Sequence, residues 1–176
     1  MKKIFSLFLL VLSVLPIKAQ EEKKTSSFMD KCLVEVGVNG GFKNKGYAPL
    51  TMNVNFGYHF VPRLYAFAKV EGMLHLYDKD GTKTYLRSQD LGGGLGVVLT
   101  NPKVNSDAVD LRVSLTNSIG NADWKHTAYD VNVIWYVRHA HKRCTPYLGV
   151  GFKHINSHSA GIPNYNGVYV TAGIKF

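Results

Sequence analysis

The sequence predicts an all-β chain, eight antiparallel strands closing up-and-down into a barrel. Three observations predict it. Apolar and polar residues alternate with period two almost continuously from Val34 to Phe176, the signature of strands with one apolar and one polar face. No segment shows the 3.6-residue period of a helix. The alternating runs number eight, an even count, and are separated by turn-forming stretches such as "NKGYAP", "VPR", "DKDG", "GNAD" and "AGIPNYNG".

Each run can be justified in order. The first sets Val34, Val36, Val38, Gly40 and Phe42 against Glu35, Gly37 and Asn39. The second sets Met52, Val54, Phe56, Tyr58 and Phe60 against Thr51, Asn53, Asn55, Gly57 and His59. In the third, Ala66, Ala68, Val70, Gly72, Leu74 and Leu76 oppose Tyr65, Phe67, Lys69, Glu71, Met73 and His75. The fourth is glycine-rich, with Leu91, Gly93, Leu95, Val97 and Leu99 against Asp90, Gly92, Gly94 and Gly96. Its "LGGGLG" is no phosphate loop, because neither a helix pattern nor a Lys-Ser/Thr pair follows it.

Val109, Leu111, Val113 and Leu115 make the apolar face of the fifth run, opposite Asp110, Arg112, Ser114 and Thr116. The sixth sets Tyr129, Val131, Val133, Trp135 and Val137 against Asp130, Asn132, Ile134, Tyr136 and Arg138. Leu148, Val150 and Phe152 oppose Tyr147, Gly149, Gly151 and Lys153 in the seventh. The eighth is "VYVTAGIKF", Val168, Val170, Ala172 and Ile174 against Tyr169, Thr171, Gly173 and Lys175, ending on Phe176.

The 176 residues fit one domain. Lys2, Lys3, the apolar run Ile4 to Leu15 and Ala19 read as a cleaved export signal over 1–19, too short to span a bilayer. Residues 20–30 read as a flexible leader and 31–176 as the barrel. The formal net charge of +9 falls in short runs, and no basic stripe recurs along one face, so nucleic acid is not expected as a partner.

Period two alone fits a soluble barrel with its apolar face inward or a transmembrane barrel with that face toward lipid. The polar face favours the second. It carries Glu35, Glu71, Asp90, Asp110 and Asp130 with Lys69, Arg112, Arg138, Lys153 and Lys175, interleaved with tyrosines that water-facing surfaces seldom need. Balanced charge with bulky groups suits a narrow lumen in which every charge finds a partner. On the apolar face, Phe42, Tyr129 and Phe152 fall near one end of the strands and Phe60, Trp135 and Phe176 near the other, two aromatic girdles around aliphatic middles. A soluble barrel of the lipocalin type would lead one to expect a Gly-x-Trp near the start of the mature chain, and none is present.

"VYVTAGIKF" resembles the C-terminal signal of outer-membrane barrels, in which an aromatic residue follows apolar residues at every second position. The mature chain as a whole resembles the OmpX and OmpA transmembrane-domain type of eight-stranded barrel, and the region near Gln20 resembles signal-peptide ends common in Bacteroidota. The resemblance implies an outer-membrane location with both termini periplasmic, and contact with outer-membrane lipid and lipopolysaccharide. It also implies assembly by the barrel-assembly machinery through Val170, Ala172, Ile174 and Phe176. The expected role is that of a small non-porin barrel, stiffening the envelope or binding a loop ligand or envelope protein, with no cofactor and no enzymatic activity.

One alternative belongs to another class. "KHINSHSAGIPN", read as the loop before the last strand, resembles the His-x-Ser-Asn stretch of lipid A deacylases, with His154 as base and Ser157 as nucleophile. The order is inverted, Asn156 preceding Ser157, and no Asp or Glu follows Asp130 to orient the histidine. His139 and His141 in "RHAHKR" lack the acid or cysteine spacing of a metal site and read as a solvated basic turn. Cys32 and Cys144 are expected at the same end on strands flanking the eighth, about 9–10 Å apart. That exceeds the roughly 7 Å limit for a disulfide, so two unbridged thiols are expected.

Overall fold

The computed structural model describes residues 31–79, 82–100, 108–137 and 144–176. The export signal, the leader, Arg138, His139 and His141 lie outside the described residues. Eight strands follow one another: β1 (Cys32–Gly41), β2 (Tyr47–Val61), β3 (Leu64–Lys79), β4 (Thr82–Val98), β5 (Ala108–Ile119), β6 (His126–Tyr136), β7 (Thr145–Ser157) and β8 (Tyr165–Lys175). Each pairs antiparallel with its sequence neighbour, and β1 pairs with β8 to close the barrel. The all-β up-and-down architecture is therefore the one that the alternation predicts.

Closure leaves no strand edge along the paired length, and alternation sends successive side chains to opposite walls. The outward set is apolar: Val36, Met52, Val70, Leu91, Val131, Val150 and Val170 are all exposed. The inward set is polar and buried: Glu35, Lys69, Glu71, Asp110, Arg112, Asp130 and Lys153 keep 4% or less of their surface, the reverse of a soluble protein. Eight strands enclose only enough room for side chains, and β4 adapts to its bulky neighbours by presenting Gly92, Gly94 and Gly96 inward. A Cβ on Gly96 would sit 2.1 Å from the Tyr65 ring, and one on Gly94 2.7 Å from Phe67.

Two apolar layers cap the lumen. At the end holding Cys32 and Lys175, Leu33, Tyr65, Phe67 and Val98 form one cluster and Ala108, Ile134, Tyr136 and Tyr147 another. At the far end Met73, Trp124, Ala128, Ile155 and Tyr165 pack together, with Tyr47, Leu86 and Ile162 against them. Neither Cys32 nor Cys144 is in a disulfide.

Strand lengths differ from the sequence reading in one place that matters. β7 runs on through Ser157, so His154 to Ser157 are strand residues and not part of a loop. The β3–β4 hairpin is also longer than its neighbours, because β4 meets β5 only from Gln89 onward.

Candidate functional site

The lumen is built from alternate residues of every strand, so its chemistry is set by which inward positions share a level. Two ion networks result. In the first, the Arg112 guanidinium donates to both Glu35 oxygens, at 2.7 Å and 2.9 Å, the two-pronged geometry that a planar fork and a carboxylate favour. Arg112 Nε also donates to Tyr65 Oη (2.6 Å), which in turn donates to Asp110 Oδ2 (2.7 Å). Asn55 donates to Glu35 at 3.2 Å, and Tyr136 Oη bonds both Glu35 and Arg112. The rings of Tyr65, Phe67 and Tyr136 lie 5.4–5.7 Å from the guanidinium carbon, within cation–π range.

The second network lies on the side toward the far end. Lys69 Nζ is 2.6 Å from Glu71 and 2.7 Å from Asp130, and Lys153 Nζ is 3.0 Å from Glu71. Ser114 Oγ donates to Asp130 (2.8 Å), and Asn132 bonds both Asp130 (3.1 Å) and Tyr169 Oη (2.7 Å). Two cations and two anions balance here, as burial at this depth requires.

The pairs connect distant strands. Glu35–Arg112 links β1 to β5 and Glu71–Lys153 links β3 to β7, each four strands apart in a ring of eight. Between the networks lies a cavity of about 20 Å³ lined by Asn53, Asn55, Lys69, Arg112 and Asn132 among others. That is room for about one water molecule.

Of the ten residues that the sequence assigns to the lumen network, seven meet in these two clusters. Asp90 stands apart, its Oδ2 3.3 Å from His126 Nε2. Lys175 lies over the Tyr136 ring at 5.3 Å, and Arg138 is outside the described residues. The six girdle aromatics all point outward: Phe42, Tyr129 and Phe152 nearer the far end, Phe60, Trp135 and Phe176 nearer the other. Val170 and Ile174 are exposed and Ala172 half-buried on the same wall of β8.

His154 and Ser157 are not brought together. Three positions apart on β7, they face opposite walls. His154 Nδ1 is 2.5 Å from Asn166 Oδ1 on the outside. Ser157 Oγ accepts the Trp124 indole N–H inside, at 2.8 Å.

The far-end plug is a feature that sequence reasoning missed. Trp124 is fully buried, its ring 4.2 Å from that of His75 and 5.4 Å from that of His126. His126 Nδ1 is 3.0 Å from the Trp124 carbonyl oxygen, which holds the β5–β6 connection over the lumen. The signal was available: Trp124, His126 and Ala128 continue the inward phase of Asp130 and Asn132.

No protein-family model matches the chain, and a search of curated proteins finds no match either.

Proposed function

We propose that the chain is a small outer-membrane barrel whose lumen is a packed charge core and not a channel, with a structural role in the envelope or a binding role at its far-end connections. One observation carries the reading: a continuous apolar wall faces outward around a closed interior of paired charges. In water such a wall would be a patch far beyond what soluble monomers expose, whereas lipid requires it. The β3–β4 hairpin, whose β4 arm runs on past its last pair with β5 at Gln89–Ile119, supports the binding role by leaving Tyr85 60% exposed.

The lumen reading predicts no steady porin-sized conductance in planar bilayers, since the space between the networks admits about one water. Large stable channels would refute it. Lipid surrounds the outward wall in this reading, and the barrel-assembly machinery acts through the outward residues of β8, Val170, Ala172, Ile174 and Phe176.

In this proposal the end holding Cys32 and Lys175 faces the periplasm. Outer-membrane barrels usually have short periplasmic turns, but here the end holding Cys32 and Lys175 has connections over 62–63, 99–107 and 137–144, against 42–46, 80–81, 120–125 and 158–164 at the other. Cys144 is exposed at the first end. In a Cys32→Ser background, a large membrane-impermeant maleimide is expected to label Cys144 only after the outer membrane is permeabilised. Labelling in intact cells would reverse the proposed orientation.

A further inference from the structure

We infer that the outer wall of β6 and β7 seats the phosphate-bearing headgroup of an outer-leaflet glycolipid, with Lys125 as its cation and the His158 imidazole beside it as a further N–H donor. The inference rests on the membrane reading above and adds a position and a ligand chemistry to it.

The two strands present a ladder of outward pairs whose polarity changes in order. Val133 pairs with Val150, Val131 with Phe152, Tyr129 with His154 and Thr127 with Asn156. One rung further the strands give way to connections, yet the His158 N–H still donates to the Lys125 carbonyl at 2.8 Å. The sequence of rungs is aliphatic, aromatic, amphipathic, neutral polar and cationic, the order met along a lipid from acyl chain to charged headgroup.

Heights agree with this. Rungs lie about 6.6 Å apart along a strand, so Lys125 stands about 13 Å beyond Tyr129, or about 10 Å along the barrel axis at the usual tilt. With Tyr129 at the hydrocarbon boundary, a lysine there reaches back down into the headgroup zone.

The top rung is fixed from below. The Lys125 N–H donates to Ser159 Oγ at 2.9 Å, tying one connection to the other, and Thr127 Oγ1 donates to Asn117 at 2.6 Å. Lys125 and His158 enter these bonds only through their backbones, and both side chains stay exposed. Among the described residues no carboxylate lies within ion-pairing distance of either. Arg87, another exposed cation at this end, is instead turned to Asp123 at 3.8 Å. A cationic rung above an apolar and aromatic wall thus lacks the anion that would complement it, and a lipid phosphate supplies one.

The test uses the full mature chain and a Lys125→Gln/His158→Gln variant. Both are reconstituted with bis-phosphorylated lipid A or with dephosphorylated lipid A, and the lipid retained per barrel is read by native mass spectrometry. The wild type is expected to favour the phosphorylated lipid about fivefold, the factor for one cation at an anionic surface, and the variant to retain both equally. Equal retention by the wild type, or an undiminished preference in the variant, overturns the inference. Displacement by inorganic phosphate at equal concentration would assign the site to the free anion and overturn the lipid. Heat-modifiable mobility in phosphatidylcholine vesicles separates the two layers of the argument. A chain that does not insert there overturns the membrane reading and this inference with it, whereas normal insertion with equal retention overturns this inference alone.

Discussion

Replacing Arg112 with alanine should lower the stability of the barrel by about 3–5 kcal/mol, seen as a fall in the urea midpoint of the protein in lipid vesicles. The guanidinium grips both Glu35 oxygens, and its Nε bonds Tyr65 as well. Without it Glu35, with no exposed surface, loses its two-pronged charged partner, and the neutral donors Asn55 and Tyr136 do not replace that charge. Arg112→Lys should recover only part of the loss, because an ammonium cannot span both carboxylate oxygens. Joint replacement, Glu35→Gln with Arg112→Met, should recover most of it by removing both charges together. An alanine variant as stable as the wild type would mean that the pair is not what holds β1 to β5.

A larger effect is expected at Gly92. A Cβ there would lie 1.9 Å from the Leu115 carbonyl oxygen and 2.6 Å from Thr116 Cα. Both are backbone atoms of the paired strand, so no rotamer change relieves the overlap. Gly92→Val therefore forces β4 and β5 apart, and it should exceed the roughly 1–3 kcal/mol of an ordinary overpacked core. The expected result is loss of the compact, heat-modifiable species on electrophoresis. Gly72→Ala is the control: nothing lies within 4 Å of its Cβ position, and the change should stay within about 0.5 kcal/mol of neutral. A Gly92→Val barrel that folds like the control would refute the close approach.

Strand count, closure and the identity of the two walls were legible in the sequence because period two is the most direct signal that a chain carries. Pairing inside was not. Glu35 meets Arg112, 77 positions away, and which acid meets which base depends on a register that no local pattern encodes. The far end is hard to read from sequence for a different reason. There the polarity of the walls inverts: Trp124, Ala128, Ile155 and Tyr165 are buried inside, while Lys125, Thr127, His154 and Asn156 line the outside. A reading that expects apolar residues outward loses phase at that inversion, so it ends β7 near Phe152 and makes His154 and Ser157 loop neighbours. In the membrane reading the inversion marks where the surroundings change from lipid to water.

The two ion pairs that join opposite strands have a mechanical consequence. β1–β5 and β3–β7 lie a quarter turn apart around the ring, so Glu35–Arg112 and Glu71–Lys153 run along two crossed diameters. Squeezing a circular section into an oval must lengthen one diameter as it shortens the other, which pulls one strut apart while compressing the other. An empty tube of the same strands would flex with only its hydrogen-bonded hoop to resist. This one is cross-braced, so lateral pressure from its surroundings meets a stiff post whose girth holds nearly constant under load.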